Sequence, residues 1–364
     1  MHPVLCLSHL RWNFVYQRPQ HLLSRCARDR PVVFFEEPIY DSTEPALELY
    51  TDGKMRIAVP HLPAGMTADH AEAAQRKMID RVVASELDGE RPVLWYYTPM
   101  SIAFTHHVRA RAVVYDCMDE LSLFQGAPAH LRDRERLLLR HADVVFTGGH
   151  SLYEHKRDTS QHRNIHPFPS SVDVAHFARG REPLVDPADQ AAIPSPRVGF
   201  FGVIDERMDL ALVADLADLR PDLHLVMIGP VVKIDPSALP RRTNIHYLGG
   251  KTYAELPEYL ASWDVAMMPF ARNDSTRFIS PTKTPEYLAA GKPVVSTSIR
   301  DVVSPYGNEG LAWIADTAGE MSEAIDQALA SDRDARVAHA DSFLANLSWD
   351  RTWREMWEYV EESI

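Results

Sequence analysis

Residues 277–296 read Arg277-Phe-Ile-Ser-Pro-Thr-Lys-Thr-Pro-Glu-Tyr-Leu-Ala-Ala-Gly-Lys-Pro-Val-Val-Ser296. The prolines near the start suit a loop and a first helical turn, where a missing N–H costs nothing. The segment that begins at Glu286 favours a helix, Gly291 is placed to end it, and Pro293 opens a β-branched run. The stretch therefore predicts a loop, a helix and a strand, which is the repeating unit of a parallel α/β domain.

Polar groups crowd the predicted start of this helix, at Ser280, Thr282, Lys283 and Thr284. Free backbone N–H groups, hydroxyls and one ammonium together would bind an anion, most naturally a phosphate. An ordinary capped helix with exposed hydroxyls is the alternative that these residues alone leave open.

The segment Glu286-Tyr-Leu-Ala-Ala-Gly-Lys-Pro-Val-Val resembles the donor-site segment of family 4, or group 1, glycosyltransferases. In that family a Glu-x7-Glu motif leads into a helix of small residues, a Gly and Pro-Val-Val. Glu286 matches the second Glu, which in the family binds the ribose hydroxyls of the nucleotide, whereas Phe278 replaces the first. The resemblance implies the α/β GT-B architecture, in which two Rossmann-like parallel-sheet domains face each other across a cleft.

Apolar runs alternate with helical segments along the whole chain, and 364 residues are too many for one core. The runs predict strands at residues 4–8, 32–36, 55–59, 93–97, 113–117, 143–147, 164–169, 198–201, 224–228, 244–249, 264–269, 294–297 and 311–314. A proline-rich stretch at 181–197 predicts a linker between two domains, at 1–180 and 198–345. By the resemblance, the first is the acceptor-side domain and the second is the nucleotide-sugar domain. The tryptophan-bearing helix at 346–364 would, by the resemblance, pack back on the first domain.

In open parallel sheets, ligands bind at the carboxyl ends of the strands, which draws attention to loops of the first half. Arg11 and Arg18 lie in the first such loop and are predicted acceptor or cleft contacts, as is His150 in a later one. Asp119 follows a predicted strand, and the resemblance makes it the candidate catalytic contact to the donor sugar. The alternatives are a surface Arg18, an Asp119 that caps the next segment and an ordinary loop histidine.

In the second half, Gly202 at a strand end would let a diphosphate approach the backbone, and Arg207 could neutralise it. Local pairing of Arg207 with Asp205 or Glu206 is the alternative. The predicted catalytic set is therefore Asp119, Lys283 and Arg207. The predicted donor-binding set is Gly202, Ser280, Thr282, Thr284 and Glu286.

The net charge of −13 argues against nonspecific nucleic-acid binding and against a strongly basic membrane-docking protein. Cys6, Cys26 and Cys117 show no CxxC spacing, so we expect reduced thiols and a cytoplasmic protein. No apolar run approaches the ~20 residues that cross a bilayer, which leaves peripheral membrane contact at most. No His, Cys and carboxylate cluster has metal spacing, so we expect no metal and no cofactor apart from the substrate.

The resemblance implies a glycosyltransferase that moves a sugar from a nucleotide-diphosphate sugar, with a UDP-sugar favoured, to a hydroxyl acceptor. By the resemblance the acceptor would be a saccharide or a lipid-linked saccharide in polysaccharide or glycolipid assembly, with retention of configuration and no obligatory metal. Two alternatives stay open: a non-catalytic nucleotide-sugar-binding or assembly protein, and a sugar-nucleotide epimerase on the same fold.

Overall fold

The computed structural model describes residues 2–364. Its strands are β1 (Val4–Leu7), β2 (Val32–Phe35), β3 (Ile39–Ser42), β4 (Ala46–Asp52), β5 (Met55–Pro63), β6 (Val93–Tyr96), β7 (Ala112–Cys117), β8 (Val144–Thr147), β9 (Ile165–Pro167), β10 (Arg197–Phe201), β11 (His224–Ile228), β12 (Ile245–Gly249), β13 (Val265–Met268), β14 (Val294–Ser296) and β15 (Ala312–Ile314). Its α-helices are α1 (Arg18–Cys26), α2 (Ala68–Glu86), α3 (Ile102–Thr105), α4 (Leu131–His141), α5 (His150–Ser160), α6 (Val174–Ala178), α7 (Leu210–Leu219), α8 (Leu256–Ala261), α9 (Lys283–Ala289), α10 (Arg300–Val302), α11 (Ala318–Ala330), α12 (Arg333–Leu344) and α13 (Trp349–Glu361). Each predicted strand is present, and β3 and β4 are additional.

The chain folds into two compact units, each built on its own sheet. Unit 1 comprises the described residues up to 122, residues 126–169 and residues 349–364, and unit 2 comprises residues 123–125 and 170–348. The predicted α/β class with two parallel-sheet domains is confirmed. Each unit has a hydrophobic core of its own.

The boundary differs from the predicted one, since residues 170–197 belong to unit 2 and do not form a separate linker. Phe177 and Ile193 are buried in the core of unit 2. The side chain of Gln190 is also buried; it donates to the carbonyl of Tyr259 at 3.1 Å and accepts from the indole N–H of Trp263 at 2.8 Å. The prolines of this segment therefore shape an irregular but packed stretch of chain.

The sheet of unit 1 has the order β3-β5-β2-β1-β6-β7-β8-β9, with β4 antiparallel to β5 on the outer side. The strands at its centre are buried along their whole length, which is why they read as continuous apolar runs. From β1 the chain proceeds to β2 and β5 on one side of the sheet. From β6 it proceeds to β7, β8 and β9 on the other side. The sheet therefore has a topological switch point between β1 and β6.

Helix α13 packs on α1 within unit 1. The indole of Trp349 stacks on the imidazole of His21, with ring centroids 4.5 Å apart, and Trp353 packs against Trp95. Trp357 lies under the guanidinium of Arg30, 3.6 Å from its carbon. The periodic tryptophans of the sequence are thus core residues of unit 1.

The sheet of unit 2 is entirely parallel, with the order β12-β11-β10-β13-β14-β15. Here the chain runs outward from β10 through β11 to β12, returns to β13 and runs outward on the other side. The switch point of unit 2 consequently lies between β10 and β13.

All three cysteines of the chain, Cys6, Cys26 and Cys117, are free and buried. Burial raises the pKa of each thiol above its usual value. Across residues 2–364, the structure contains no helix with the length and apolar character that a bilayer crossing requires.

Candidate functional site

Two glycines form the backbone of the site at the carboxyl edge of the sheet of unit 2. Gly202 directly follows β10 with φ of +145°, and Gly229 directly follows β11 with φ of +148°. The N–H of Gly202 donates to the carbonyl of Ile228 at 2.9 Å. A Cβ atom on Gly229 would lie 1.7 Å from the Gly202 carbonyl oxygen, so only glycine permits this approach. Gly229 was not among the predicted site residues, although a glycine directly after an apolar strand is a signal that could have identified it.

Helix α9 is anchored to the ends of the two central strands. The backbone N–H of Phe201, the last residue of β10, donates to the Tyr287 hydroxyl at 3.0 Å. The hydroxyl of Thr284 lies 3.5 Å from the sulfur of Met268, the last residue of β13. These two contacts fix the first turns of α9 at the switch point.

As a result, Lys283 lies beside Gly202. A Cβ atom on Gly202 would be 2.3 Å from Cε of Lys283 and 3.1 Å from its Nζ. The site therefore combines a glycine without a side chain, where a ligand can approach the backbone, and an ammonium group within reach of that position. An oxyanion such as a phosphate is the natural ligand of such an arrangement.

Glu286 lies one turn after Lys283 on the same helix and is only 7% exposed. Burial raises the pKa of its carboxyl group to about 8, and the nearby charge of Lys283 opposes this shift. At neutral pH the carboxyl group consequently holds a proton for most of the time, so it can both donate and accept a hydrogen bond. Such a group suits a ligand rich in hydroxyls.

The remaining predicted donor contacts have different surroundings. Ser280 and Thr282 are half-buried in the turn that leads into α9. The prediction that Thr284 contacts the donor needs correction, because its side chain is fully buried against Met268. Its position in the first turn of α9 directs the hydroxyl into the core.

Arg207 is held by its neighbour Asp205. Its Nε and Nη2 donate to the two carboxylate oxygens at 2.9 and 2.7 Å, and its side chain is 26% exposed. The local pairing considered as the alternative is what the structure shows. A diphosphate bound here would have to share the guanidinium with Asp205.

The prediction of Arg18 as an acceptor or cleft contact is wrong. Its side chain is buried, Nε donates to both oxygens of Asp116 at 3.0 Å, and Nη1 donates to the Phe168 carbonyl at 2.7 Å. Asp116 is itself fully buried. The pair therefore lies in the interior of unit 1, away from solvent.

The other residues predicted in the first half also lie in unit 1. Arg11 is one third exposed, and its guanidinium donates to the carboxylate of Glu36 at 3.0 Å and to the carbonyl of Pro38 at 3.2 Å. Asp119 is half-buried just after β7, and His150 is the exposed first residue of α5. The structure thus brings together Gly202, Lys283 and Glu286 in unit 2.

Within the part of the chain that the structure describes, no three His, Cys, Asp or Glu side chains form a group that could hold a metal ion.

The part of the chain that carries this site matches a known family. Residues 195–331 match the model of the family described as glycosyl transferases group 1. TuaH of Bacillus subtilis (strain 168), named as a teichuronic acid biosynthesis glycosyltransferase, is 24% identical over 240 residues. The match covers 61% of this chain and 59% of TuaH, so the chain spans less than two thirds of that curated relative.

Solved structures resemble the chain over its whole length. Sucrose-phosphate synthase from Thermosynechococcus elongatus gives a TM-score of 0.75 at 15% identity and covers 100% of this chain and 99% of its own. A second neighbour is the UDP-forming α,α-trehalose-phosphate synthase from Burkholderia xenovorans, in complex with glucose-6-phosphate. It gives a TM-score of 0.69 at 12% identity, and the match covers 100% of both chains. An E. coli trehalose-6-phosphate protein bound with UDP-2-fluoro glucose gives a TM-score of 0.67 at 12% identity. The match covers 99% of this chain and 98% of that protein's chain.

At such identities the likeness shows the fold. The family match comprises β10 to β15 and α9, and therefore all the residues of the site in unit 2. The predicted resemblance is confirmed: residues 195–331 match the group 1 glycosyltransferase family, and the chain has the GT-B fold.

Proposed function

We propose that the chain transfers a sugar from a nucleotide-diphosphate sugar to a hydroxyl group of a saccharide or lipid-linked acceptor. The observation that carries the proposal is the position of Lys283 beside Gly202, with the buried Glu286 one turn further along α9. The family match of residues 195–331 supports the reaction class. We place the reaction in polysaccharide or glycolipid assembly, which the name of TuaH supports. We also place it in the cytoplasm.

In this proposal the diphosphate of the donor lies against Gly202 and the ammonium of Lys283, and Glu286 binds the ribose hydroxyls. The acceptor oxygen forms a bond to the anomeric carbon while the bond from that carbon to the diphosphate oxygen breaks. Negative charge develops on the leaving diphosphate, which takes up the proton of the acceptor hydroxyl. A cation already in position stabilises that charge by several kcal/mol, on the order of 3. Lys283 is that cation, and the charge of Arg207 is already partly neutralised by Asp205.

A UDP-sugar is the proposed donor. The neighbours include a protein bound with UDP-2-fluoro glucose and a synthase described as UDP-forming, which favours uridine among the bases. Retention of configuration without an obligatory metal is proposed from the family resemblance of the α9 segment.

The experiment is a thermal-shift titration of the full chain with UDP. In Lys283→Ala we expect UDP to bind tenfold to a hundredfold more weakly, because a charge-assisted hydrogen bond contributes about 1.5–3 kcal/mol. The matched control is Arg242→Ala, which removes a cation just before β12, at the opposite edge of the same sheet, where it pairs with Asp218. Equal shifts in the wild type and Lys283→Ala would contradict the proposal.

A non-catalytic nucleotide-sugar binder is the second candidate. Two observations favour it: Phe278 replaces the first Glu of the family motif, and Arg207 is paired with Asp205. Incubation of the chain with UDP-glucose and cell-derived acceptor fractions separates the two functions. Acceptor-dependent release of UDP supports transfer, whereas binding without release supports the second candidate, and an isomerised sugar would instead indicate an epimerase.

A further inference from the structure

Strands β10 and β13 are neighbours in the sheet of unit 2, but their pairing ends before β10 does. The registered pairs are Val198 with Val265 and Gly199 with Ala266, whereas β10 continues to Phe201. On its other side, β10 stays paired with β11 as far as Phe201. The two strands at the switch point therefore part at their carboxyl ends, where open parallel sheets form a crevice.

The backbone N–H of Phe201 points into the gap between these two strand ends. Successive residues of a strand direct their backbone groups to alternate neighbours. The carbonyl of Arg197 accepts from the N–H of Asp264, just before β13, at 2.9 Å, so the odd-numbered residues of β10 face β13. Phe201 belongs to this set, and the pairing has ended at its level. Its N–H group therefore needs an acceptor other than a strand carbonyl.

The hydroxyl of Tyr287 supplies that acceptor, 3.0 Å from the nitrogen of Phe201. Tyr287 is fully buried, and its ring lies edge-on to the ring of Phe201, with centroids 4.9 Å apart. Its ring is also 6.2 Å from that of Trp263. The indole of Trp263 packs on Gly199, where a Cβ atom would lie only 2.1 Å from it. Packing on both sides thus holds the tyrosine ring in place against β10.

Lys283 precedes Tyr287 by four residues, so the two side chains lie on the same face of α9, one turn apart. Their partners on the strand side, Phe201 and Gly202, are consecutive residues. The depth at which the tyrosine hydroxyl enters the gap therefore sets how close the ammonium of Lys283 lies to the backbone of Gly202. Attraction between a cation and an anion falls as their separation grows, so this depth matters for anion binding.

We propose that Tyr287 is a positioning residue of the anion site in unit 2. By accepting a hydrogen bond from Phe201, its hydroxyl holds the ammonium of Lys283 beside Gly202 and so raises the affinity for a diphosphate. Tyr287 is buried and acts through Lys283. That the diphosphate belongs to a nucleotide-sugar donor rests on the proposed function, whereas the effect on inorganic pyrophosphate does not.

The test is a calorimetric titration of the full chain with inorganic pyrophosphate and, separately, with UDP. In Tyr287→Phe we expect both ligands to bind about fivefold to tenfold more weakly, because one hydrogen bond that positions the cation is lost. Tyr259→Phe is the matched control. It removes another buried tyrosine hydroxyl of unit 2, on α8, which donates to Asp189 at 2.7 Å, and it should bind both ligands as the wild type does.

A double-mutant cycle with UDP separates positioning from a general loss of structure. Because Tyr287 acts through Lys283, Tyr287→Phe should have little effect on UDP binding in a chain that already carries Lys283→Ala. A merely structural role would weaken binding by the same factor in both backgrounds.

Hydrogen exchange gives a readout that needs no ligand. The amide of Phe201 should exchange about tenfold faster in Tyr287→Phe and at the wild-type rate in Tyr259→Phe, since only the first variant removes its acceptor.

Three results would overturn the proposal: wild-type affinity for pyrophosphate in Tyr287→Phe, an equal factor with and without the ammonium of Lys283, or unchanged exchange at Phe201. A chain that binds pyrophosphate but not UDP would overturn the proposed function alone. A wild-type chain that binds neither ligand would overturn both.

Discussion

Arg18 and Lys283 each begin a helix at the carboxyl edge of a parallel sheet, and their local sequences look equally suited to an anion. The structure gives them opposite surroundings: Arg18 is buried against Asp116, whereas Lys283 is half-buried beside Gly202. The partner of Arg18 is distant in the sequence, and a buried ion pair of that kind leaves no local pattern. This is why the sequence contained no sign of the burial of Arg18, whereas the position of Lys283 at the start of α9 followed from local sequence alone.

At the same scale, the raised pKa of Glu286 has a consequence for stability. Because the folded state holds a proton on Glu286 that the unfolded state loses above about 4.5, the free energy of unfolding should fall as pH rises from about 4.5 to about 8. Glu286→Gln, which cannot ionise, should show a smaller loss over this range. Thermal unfolding at about pH 5.5 and about pH 8, for the wild type and the variant, measures the difference.

A solvent-exposed carboxylate offers the control for this measurement. Glu309→Gln changes an exposed residue of unit 2 and should retain the pH dependence of the wild type. If the free energy of unfolding fell with pH as steeply in Glu286→Gln as in Glu309→Gln, the result would contradict a raised pKa of Glu286.

Among the elements, the central strands were predictable and the outer ones were not. Strands such as β1 and β10 are buried on both faces, so the sequence shows an uninterrupted apolar run. β4 is largely exposed and pairs with only one neighbour, so Leu47 and Leu49 alternate with exposed residues and form no continuous apolar run.

Helix α13 provides the test at the level of elements. Trp349→Ala should destabilise unit 1 by about 3–5 kcal/mol, because it removes a fully buried indole and its stack on His21. Trp349→Phe keeps an aromatic ring there and should lose much less. Urea unfolding followed by circular dichroism measures both, and a loss below about 1 kcal/mol for the alanine variant would contradict the packing role of α13.

For the whole molecule, the proposed nucleotide site in unit 2 predicts a local response to nucleotide. Hydrogen exchange followed by mass spectrometry should show that UDP slows exchange around Gly202, Gly229 and the start of α9. Peptides from α1 and α13, which belong to unit 1, should exchange as before. Lys283→Ala should lose the protection, and protection confined to unit 1 would move the nucleotide site away from α9.

The buried cysteines have a practical consequence for such experiments. Thiolates react with maleimides, and all three native thiols are shielded from solvent and have raised pKa values. A cysteine introduced at an exposed position would therefore be the fast-reacting thiol of the folded chain. Fluorophores could be attached at one chosen point without first replacing Cys6, Cys26 or Cys117, which would leave the packing around them intact.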